Sequence, residues 1–366
     1  MCTIFLTFSG CSTDEYSEDG NSNGNEDTLI PSDSTNPDAA VARFVQYLSR
    51  QDYEELFNER YGVGKRWQEL HEGKKGEDFY SYDNLKAGIR EISNFILEND
   101  HMLYDGIPST WNYKVYVTDK RTGARTLIND YSGGEFDQPY NAQRPRKIFI
   151  TDFGDFLNGP TENDRKREIA ALLANMTQET SGGEGFDRLY YGLYFNEEIG
   201  HGEDMPSPGA YADSSSASIN WPAVPEASYH GRGPIQLTWN YNYGYFSALY
   251  FGDKNILLKN PERVVKDSAL AWATAIWFWM APQPPKPSCH EVLMSNWIPT
   301  PAQQERNWQQ GFGATIMVIN GGLEGDKTEE EDFRIATRVG MYKRLTERNG
   351  ANIAGEKLDT AGMTKL

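Results

Sequence analysis

The chain has 366 residues and a formal net charge of −18, which is long enough to bury a large core as one domain or as two lobes. Such acidity excludes nucleic acid as a partner, because a phosphate backbone demands a basic surface, and it disfavours a strongly anionic substrate. Composition is 38% hydrophobic and 13% aromatic, with 9 Trp, 21 Tyr and 17 Phe; an aromatic-rich core and a groove that stacks flat ligands both account for that load.

In chain order, Met1 to Gly10 is short and mildly apolar and leads into Ser9-Gly10-Cys11. Small residues before a cysteine look like a bacterial lipoprotein processing site, which would make Cys11 a lipidation candidate and place the protein outside the cell or on its surface. The apolar stretch is short and lacks a basic start, so an ordinary N-terminal tail fits equally. Residues 12 to 38 hold eight acidic and no basic residues among Ser, Asn, Gly, Thr and Pro. That composition cannot bury a core and predicts a disordered tether. No stretch is long enough for a transmembrane helix.

Helical patterning begins after Asp38, over Ala39 to Tyr47, around Tyr53 to Phe57, and from about Asn84 to Leu97. Residues 98 to 160 read as an extended or hairpin-bearing insertion. Trp111 to Val117 alternates like a strand, Thr122-Gly123 is a turn, and Lys147 to Ile150 is a second short apolar run. Thr161 to Glu179 is the next helix, with Ile169, Leu172, Leu173 and Met176 at the spacing of a buried stripe. The chain then reads as loop-rich to about Pro225. Asp267 to Met280 is apolar nearly all round and belongs in the middle of a core, and the prolines between Pro282 and Pro287 stop it. A last helix covers roughly Glu329 to Arg348. The sum is a mainly α protein with a small β element, bounded as an N-terminal segment (1–38), a folded domain (39–350, with the insertion) and a C-terminal tail (351–366).

Chemistry concentrates in four places. Glu179 shares the edge of its helix's apolar stripe, next to Gly182-Gly183, which end the helix. A carboxyl in a partly apolar wall has a raised pKa, as a general acid needs; a solvated helix-end glutamate is the alternative. Glu197 and Glu198 follow 18 and 19 residues later, and two carboxyls on opposite walls of a cleft are the minimal equipment for glycosidic cleavage. Tyr229 to Gly244 packs glycines, amides, a hydroxyl and aromatics into one run, suited to sugars and water. Arg338 lies beside the stripe Ile335, Val339, Tyr342 and Leu345 and, if buried, must be paired. The three cysteines (Cys2, Cys11, Cys289) and five histidines (His71, His101, His201, His230, His290) show neither a disulfide framework nor metal-ligand spacing.

Glu179-Thr180-Ser181-Gly182-Gly183, the run from Gly231 to Gly244, Ala275 to Met280 with Pro285 to Ser288, Gly311 to Thr315, Ile319 to Glu324 and Arg338 to Arg344 together resemble the plant-type chitinases, glycoside hydrolase family 19. The match runs in order from about residue 53 to 348, apart from the insertion. The resemblance implies a two-lobed, mostly helical, lysozyme-like fold with a central substrate cleft. It implies endo-acting hydrolysis of β-1,4 links between N-acetylglucosamine units with inversion, a monomer, and no metal or other cofactor. By position Glu179 resembles the general acid, Glu198 the general base and Thr238 the hydroxyl that holds the attacking water. Trp221, Tyr229, Gln236, Tyr241, Asn242, Lys286, Asn320, Glu324 and Arg338 take positions that line the sugar cleft or orient the acids, with Glu324 expected to pair with Arg338. Gln178 stands where His is common, and Tyr194 and Gly325 stand where the plant enzymes have disulfide cysteines. Peptidoglycan cleavage by the same fold is the alternative activity, and a non-catalytic glycan-binding relative is a further one.

Overall fold

The structure, a computed structural model, describes residues 35–58, 60, 78–181, 192–202, 205–215, 218–283 and 285–366. The lipidation candidate Cys11, nearly all of the acidic tether, and the glycine pair Gly182-Gly183 lie outside the described residues.

Among the described residues the fold opens with α1 (Pro37–Tyr47), α2 (Arg50–Leu56) and α3 (Tyr82–Ile92). Each starts on a side-chain oxygen, of Asn36, Ser49 and Ser81, which takes up a backbone N–H left free at a helix N-terminus. The helix expected over Asn84 to Leu97 stops at Ile92 instead. Phe95, Ile96 and Leu97 pair edge to edge with the next strand, and those ladder bonds override the helical spacing.

The region expected as an insertion is a four-stranded antiparallel sheet. Its strands are β1 (Phe95–Tyr104), β2 (Ile107–Asp119), β3 (Ala124–Asp130) and β4 (Arg146–Asp152), in spatial order β3-β2-β1-β4. The turn at Thr122-Gly123 joins β2 to β3, with Gly123 at φ +72°, a left-handed conformation that favours glycine. Leu97, Val115 and Val117 share the buried face, and the register Ile150–Glu98–Tyr116–Leu127 lies across the other.

The helical body follows, as α4 (Glu162–Thr180), α5 (Asn240–Phe251), α6 (Asn255–Lys259), α7 (Arg263–Lys266), α8 (Ser268–Met280), α9 (Cys289–Leu293), α10 (Pro301–Gln304), α11 (Phe312–Glu324) and α12 (Phe333–Asn349). In α4 a capping box between Thr161 and Asp164 fixes the start, and the expected stripe Ile169, Leu172, Leu173 and Met176 is buried. In α8 the indoles of Trp272, Trp277 and Trp279 are at most 1% exposed. Each large side chain so buried contributes about 1.5–3 kcal/mol. Gly88 lets α3 approach α8, since a Cβ there would sit 2.4 Å from the Trp272 Cβ.

The last residues are tied down. Met363 is fully buried, and Thr360 Oγ1 donates to the Glu324 carbonyl at 2.5 Å. Glu356 accepts from Arg167 Nε and Nη2 at 2.9 and 2.7 Å. No helix among the described residues is long and apolar enough to cross a membrane.

Candidate active site

One wall of the site is built on the end of α4. Glu179 stands in its last turn with its side chain 20% exposed. Arg338, from the middle of α12 and 1% exposed, donates from Nη2 to Glu179 Oε1 at 2.6 Å. The same guanidinium holds Glu324, at the end of α11, through Nε–Oε2 and Nη2–Oε1 bonds of 2.8 Å each. Its remaining nitrogen, Nη1, donates to the Asn175 carbonyl and side-chain oxygen at 3.2 and 3.1 Å. Asn320 donates to Glu324 Oε1 at 2.7 Å from a kink in α11, where its φ is −140° and ψ 32°. One buried cation therefore serves two carboxylates, and every face of it is occupied, as a buried charge requires. Burial pushes the Glu179 carboxyl above its usual range, and the Glu324 charge adds to the rise; the Arg338 charge opposes them without cancelling.

The other wall is a loop. Glu198 accepts from the Tyr211 hydroxyl at 2.6 Å on Oε1 and from the Gly231 N–H at 2.9 Å on Oε2. Its own N–H donates to the Gly231 carbonyl at 2.9 Å, which locks the two loops together. The hydrogen bond to Glu198 and partial burial push the Tyr211 phenol up to about 12. Glu197 turns the other way. It forms an isolated bridge with Arg232, and successive side chains of extended backbone face opposite sides. Glu197 thus bonds His230 Nε2 at 2.8 Å and Arg232 Nε at 3.2 Å behind the loop, while Glu198 faces the cleft.

The floor is the run 231–242. Gln236 and Trp239 adopt φ of +51° and +75°, costly for side chains larger than glycine and held by short-range bonds. Thr238 Oγ1 donates to the Gln236 carbonyl at 2.7 Å, and Asn242 Nδ2 donates to the Thr238 carbonyl at 2.8 Å. Trp239 and Tyr241 present rings 6° from parallel. At the far end Lys286 donates to the Val318 carbonyl at 3.0 Å, and burial lowers its pKa.

These elements enclose a cleft of about 600 Å³. Glu179, Glu198, Thr238, Gln236, Tyr241, Asn242, Lys286, Asn320, Glu324 and Arg338 all border it. Trp221 and Tyr229, expected among the sugar-contacting residues, do not. They are 1% and 0% exposed and sit beneath the floor. There the Tyr229 hydroxyl donates to the Leu258 carbonyl at 2.8 Å and accepts from Val224 N at 2.9 Å, and Trp221 stacks on Tyr245. Their apolar surface is spent on the core, so both are supports rather than sugar contacts. Tyr211, Trp239, Phe278, Gln283, Leu323 and Arg334, none of them expected as site residues, also border the cleft, as does Gln178, which the sequence marks only as standing where His is common. Trp239 could have been found, since it lies inside the run already singled out; Tyr211 sits in a loop with no periodicity to mark it.

A family model described as chitinase class I matches residues 146–360. Endochitinase 3 of Solanum tuberosum is 43% identical over 217 residues, covering 58% of this chain and 64% of that protein. Chitinase 10 of Oryza sativa subsp. japonica is 40% identical over 213 residues, covering 57% of this chain and 68% of that protein. Among solved structures, a family GH19, class IV chitinase from Zea mays is 31% identical, with a TM-score of 0.40, over 57% of this chain and 80% of that one. Chitinase C from Streptomyces griseus is 29% identical, with a TM-score of 0.41, over 57% and 83%. The chain spans just under two thirds of the length of Endochitinase 3. The family match opens at β4 rather than near residue 53, so α1 to α3 and β1 to β3 precede it, and it runs on past 348 to 360. Both carboxylate walls and the floor fall inside it, and with more than half of its length matched this chain belongs to the chitinase class I family, the family 19 glycoside hydrolases.

Proposed function

We propose that the protein is an endo-acting, inverting glycosidase that cleaves β-1,4 links between N-acetylglucosamine units of chitin. The observation that carries this is the pair of differently held carboxyls on facing walls of one cleft. Glu179 is shifted toward its protonated form, and Arg338 occupies only its Oε1. Oε2 is left to carry the proton to the leaving glycosidic oxygen.

Glu198 is the base. The Thr238 hydroxyl spends its hydrogen on the Gln236 carbonyl, so its oxygen can only accept from a water. A water that donates one hydrogen to Thr238 and the other to Glu198 presents its lone pair outward, toward the sugar carbon under attack. The water's O–H bond on the Glu198 side breaks and its proton passes to Glu198 as the new C–O bond forms, while the old glycosidic C–O bond breaks and its leaving oxygen takes the proton of Glu179. Such a single displacement places the carboxyls about 6.5–9.5 Å apart. Trp239 and Tyr241 supply flat faces for sugar rings, and Lys286, Asn320 and Gln236 supply polar contacts. The protein acts as a monomer on this polymer, without a cofactor.

Incubating the purified protein with N-acetylglucosamine oligomers and, separately, with purified peptidoglycan tests the substrate. Cleavage of the oligomers is expected. Release of muropeptides with intact oligomers would move the activity to the bacterial cell wall, and silence on both would leave a glycan-binding relative. Cell-surface placement through a lipid on Cys11 is the remaining part of the proposal, supported by the Ser9-Gly10-Cys11 sequence alone. Palmitate labelling that survives Cys11→Ala would overturn it.

A further inference from the structure

Behind Glu198 runs a hydrogen-bonded chain that neither acid's assigned role uses. His201, three residues on, places Nε2 3.8 Å from Glu198 Oε1. Its Nδ1 lies 2.5 Å from Ser207 Oγ, which lies 3.2 Å from Ser228 Oγ. Ser228 Oγ is 2.7 Å from His230 Nδ1, and His230 Nε2 is 2.8 Å from Glu197 Oε1. The chain ends there, on a carboxylate that Arg232 Nε also contacts at 3.2 Å.

Its two ends fix the direction of every hydrogen. Glu197 is held ionised: burial pushes its carboxyl up, but His230 and Arg232 together pull it below the usual range. An ionised carboxylate only accepts, so His230 carries its hydrogen on Nε2. Arg232 Nη2, a donor only, lies 3.4 Å from His230 Nδ1. That nitrogen is therefore bare, and burial keeps the ring from taking a second proton. The Ser228 hydroxyl must then donate to His230, the Ser207 hydroxyl to Ser228, and His201 Nδ1–H to Ser207. Neutral His201 is left with a bare Nε2, and that lone pair is on the Glu198 side.

Among the described residues, the charged and titratable groups around His201 are few. Glu198 faces it from its own loop, Tyr211 with ring centres 5.8 Å apart, and His230 stacked at 4.8 Å. Glu197 and Arg232 lie one bond beyond His230. An inverting hydrolysis leaves Glu198 with one proton too many and Glu179 with one too few. Glu198 must lose its proton before the next turnover. The Gly231 N–H cannot accept it, and the Tyr211 hydroxyl already donates to this carboxyl.

We infer that His201 is the positioning and proton-release partner of Glu198: its Nε2 takes up the proton that Glu198 removes from the attacking water, and the Ser207–Ser228–His230–Glu197 chain holds it in the tautomer that can do so. The inference rests on the assignment of Glu198 as base. A modest side-chain shift or one bridging water closes the 3.8 Å gap. His201, 19% exposed, then passes the proton from Nε2 to bulk water and returns to its neutral form.

The test compares wild type, His201→Ala and Ser207→Ala, as full chains, on N-acetylglucosamine oligomers across the pH range, with Tm as the folding control. For His201→Ala we expect kcat to fall about tenfold, less than loss of a primary acid or base, with KM unchanged. The pH profile should change with loss of the imidazole, and added imidazole should restore most of kcat. Ser207→Ala should lower kcat a few-fold without rescue by imidazole, and it decides the matter if His201→Ala fails to fold. A folded His201→Ala with wild-type kcat and pH profile, or with a loss that imidazole cannot restore, would overturn the inference, as would a wild-type kcat in Ser207→Ala. Inactivity of the wild type on these oligomers would instead overturn the glycosidase reading itself.

Discussion

The two walls of the cleft hold the same side chain by opposite means. Glu179 ends a 19-residue buried helix and shares a guanidinium with a second, fully buried carboxylate. Glu198 stands on a loop and is held by a phenol and a backbone N–H. The first setting combines dehydration with a crowded acidic pair, which favours the neutral acid; the second offers a phenol and a backbone N–H as donors. In the proposed mechanism, acid and base are thus told apart by surroundings rather than by residue type. The rigid wall carries buried charge, and the floor beside the loop wall carries strained backbone at Gln236 and Trp239.

Removing the acid proton should separate the walls most sharply. Glu179→Gln should lower kcat by about 10²–10⁴, the range for a general acid, with oligomer binding retained by calorimetry. Next comes the cation. Arg338→Ala leaves Glu324 buried without its partner and should cost about 3–5 kcal/mol of stability. That would be measured by denaturant unfolding, and activity should fall along with it. A variant as stable as wild type would mean the guanidinium does not hold this wall.

On the loop wall the effect should be smaller. Tyr211→Phe removes one hydrogen bond to a charged group, worth about 1.5–3 kcal/mol. It should lower kcat and lower Tm by less than Arg338→Ala does, because the loop stays tied by the Glu198–Gly231 bonds. An unchanged kcat would show that Glu198 needs no such donor.

The smallest predicted signal is in stability against pH. The folded-state pKa of Glu179 lies above its unfolded value, so the folded state binds the proton more tightly. Its contribution is present below the usual carboxyl pKa and is lost as pH rises through the raised one. Gln does not titrate, so the Tm of Glu179→Gln minus that of wild type should increase from pH 4 to 8. A constant difference would mean the carboxyl is not shifted. Activity should decline over the same rise in pH, as the acid loses its proton.

What was legible in the sequence follows how local the signals are. The helix that carries Glu179 was visible because its apolar stripe is local, and the all-round apolarity of 267–280 marked the central helix α8. The pairing of Arg338 with Glu324 came from the family resemblance, and a buried arginine made a partner obligatory. Helices α5 and α11 went unseen: α5 is aromatic on several sides and α11 is glycine-rich and kinked at Asn320, so neither shows a clean apolar stripe. The sheet was half seen, because strand pairing is non-local and its first strand begins where helical spacing still ran. Trp221 and Tyr229 were misplaced because position in a motif says that a residue matters there, not which way its ring points. The chain behind Glu198 joins residues from 197 to 230 through loops, and no spacing rule connects them.

The most direct test of the central claim follows the first product of wild-type cleavage of a β-linked N-acetylglucosamine oligomer by NMR, before the anomers equilibrate, beside Glu179→Gln under the same conditions. Two carboxyls acting as acid and base through one water predict the α-anomer from wild type and almost no product from the variant. A β-anomer, or near-wild-type turnover by Glu179→Gln, would contradict it.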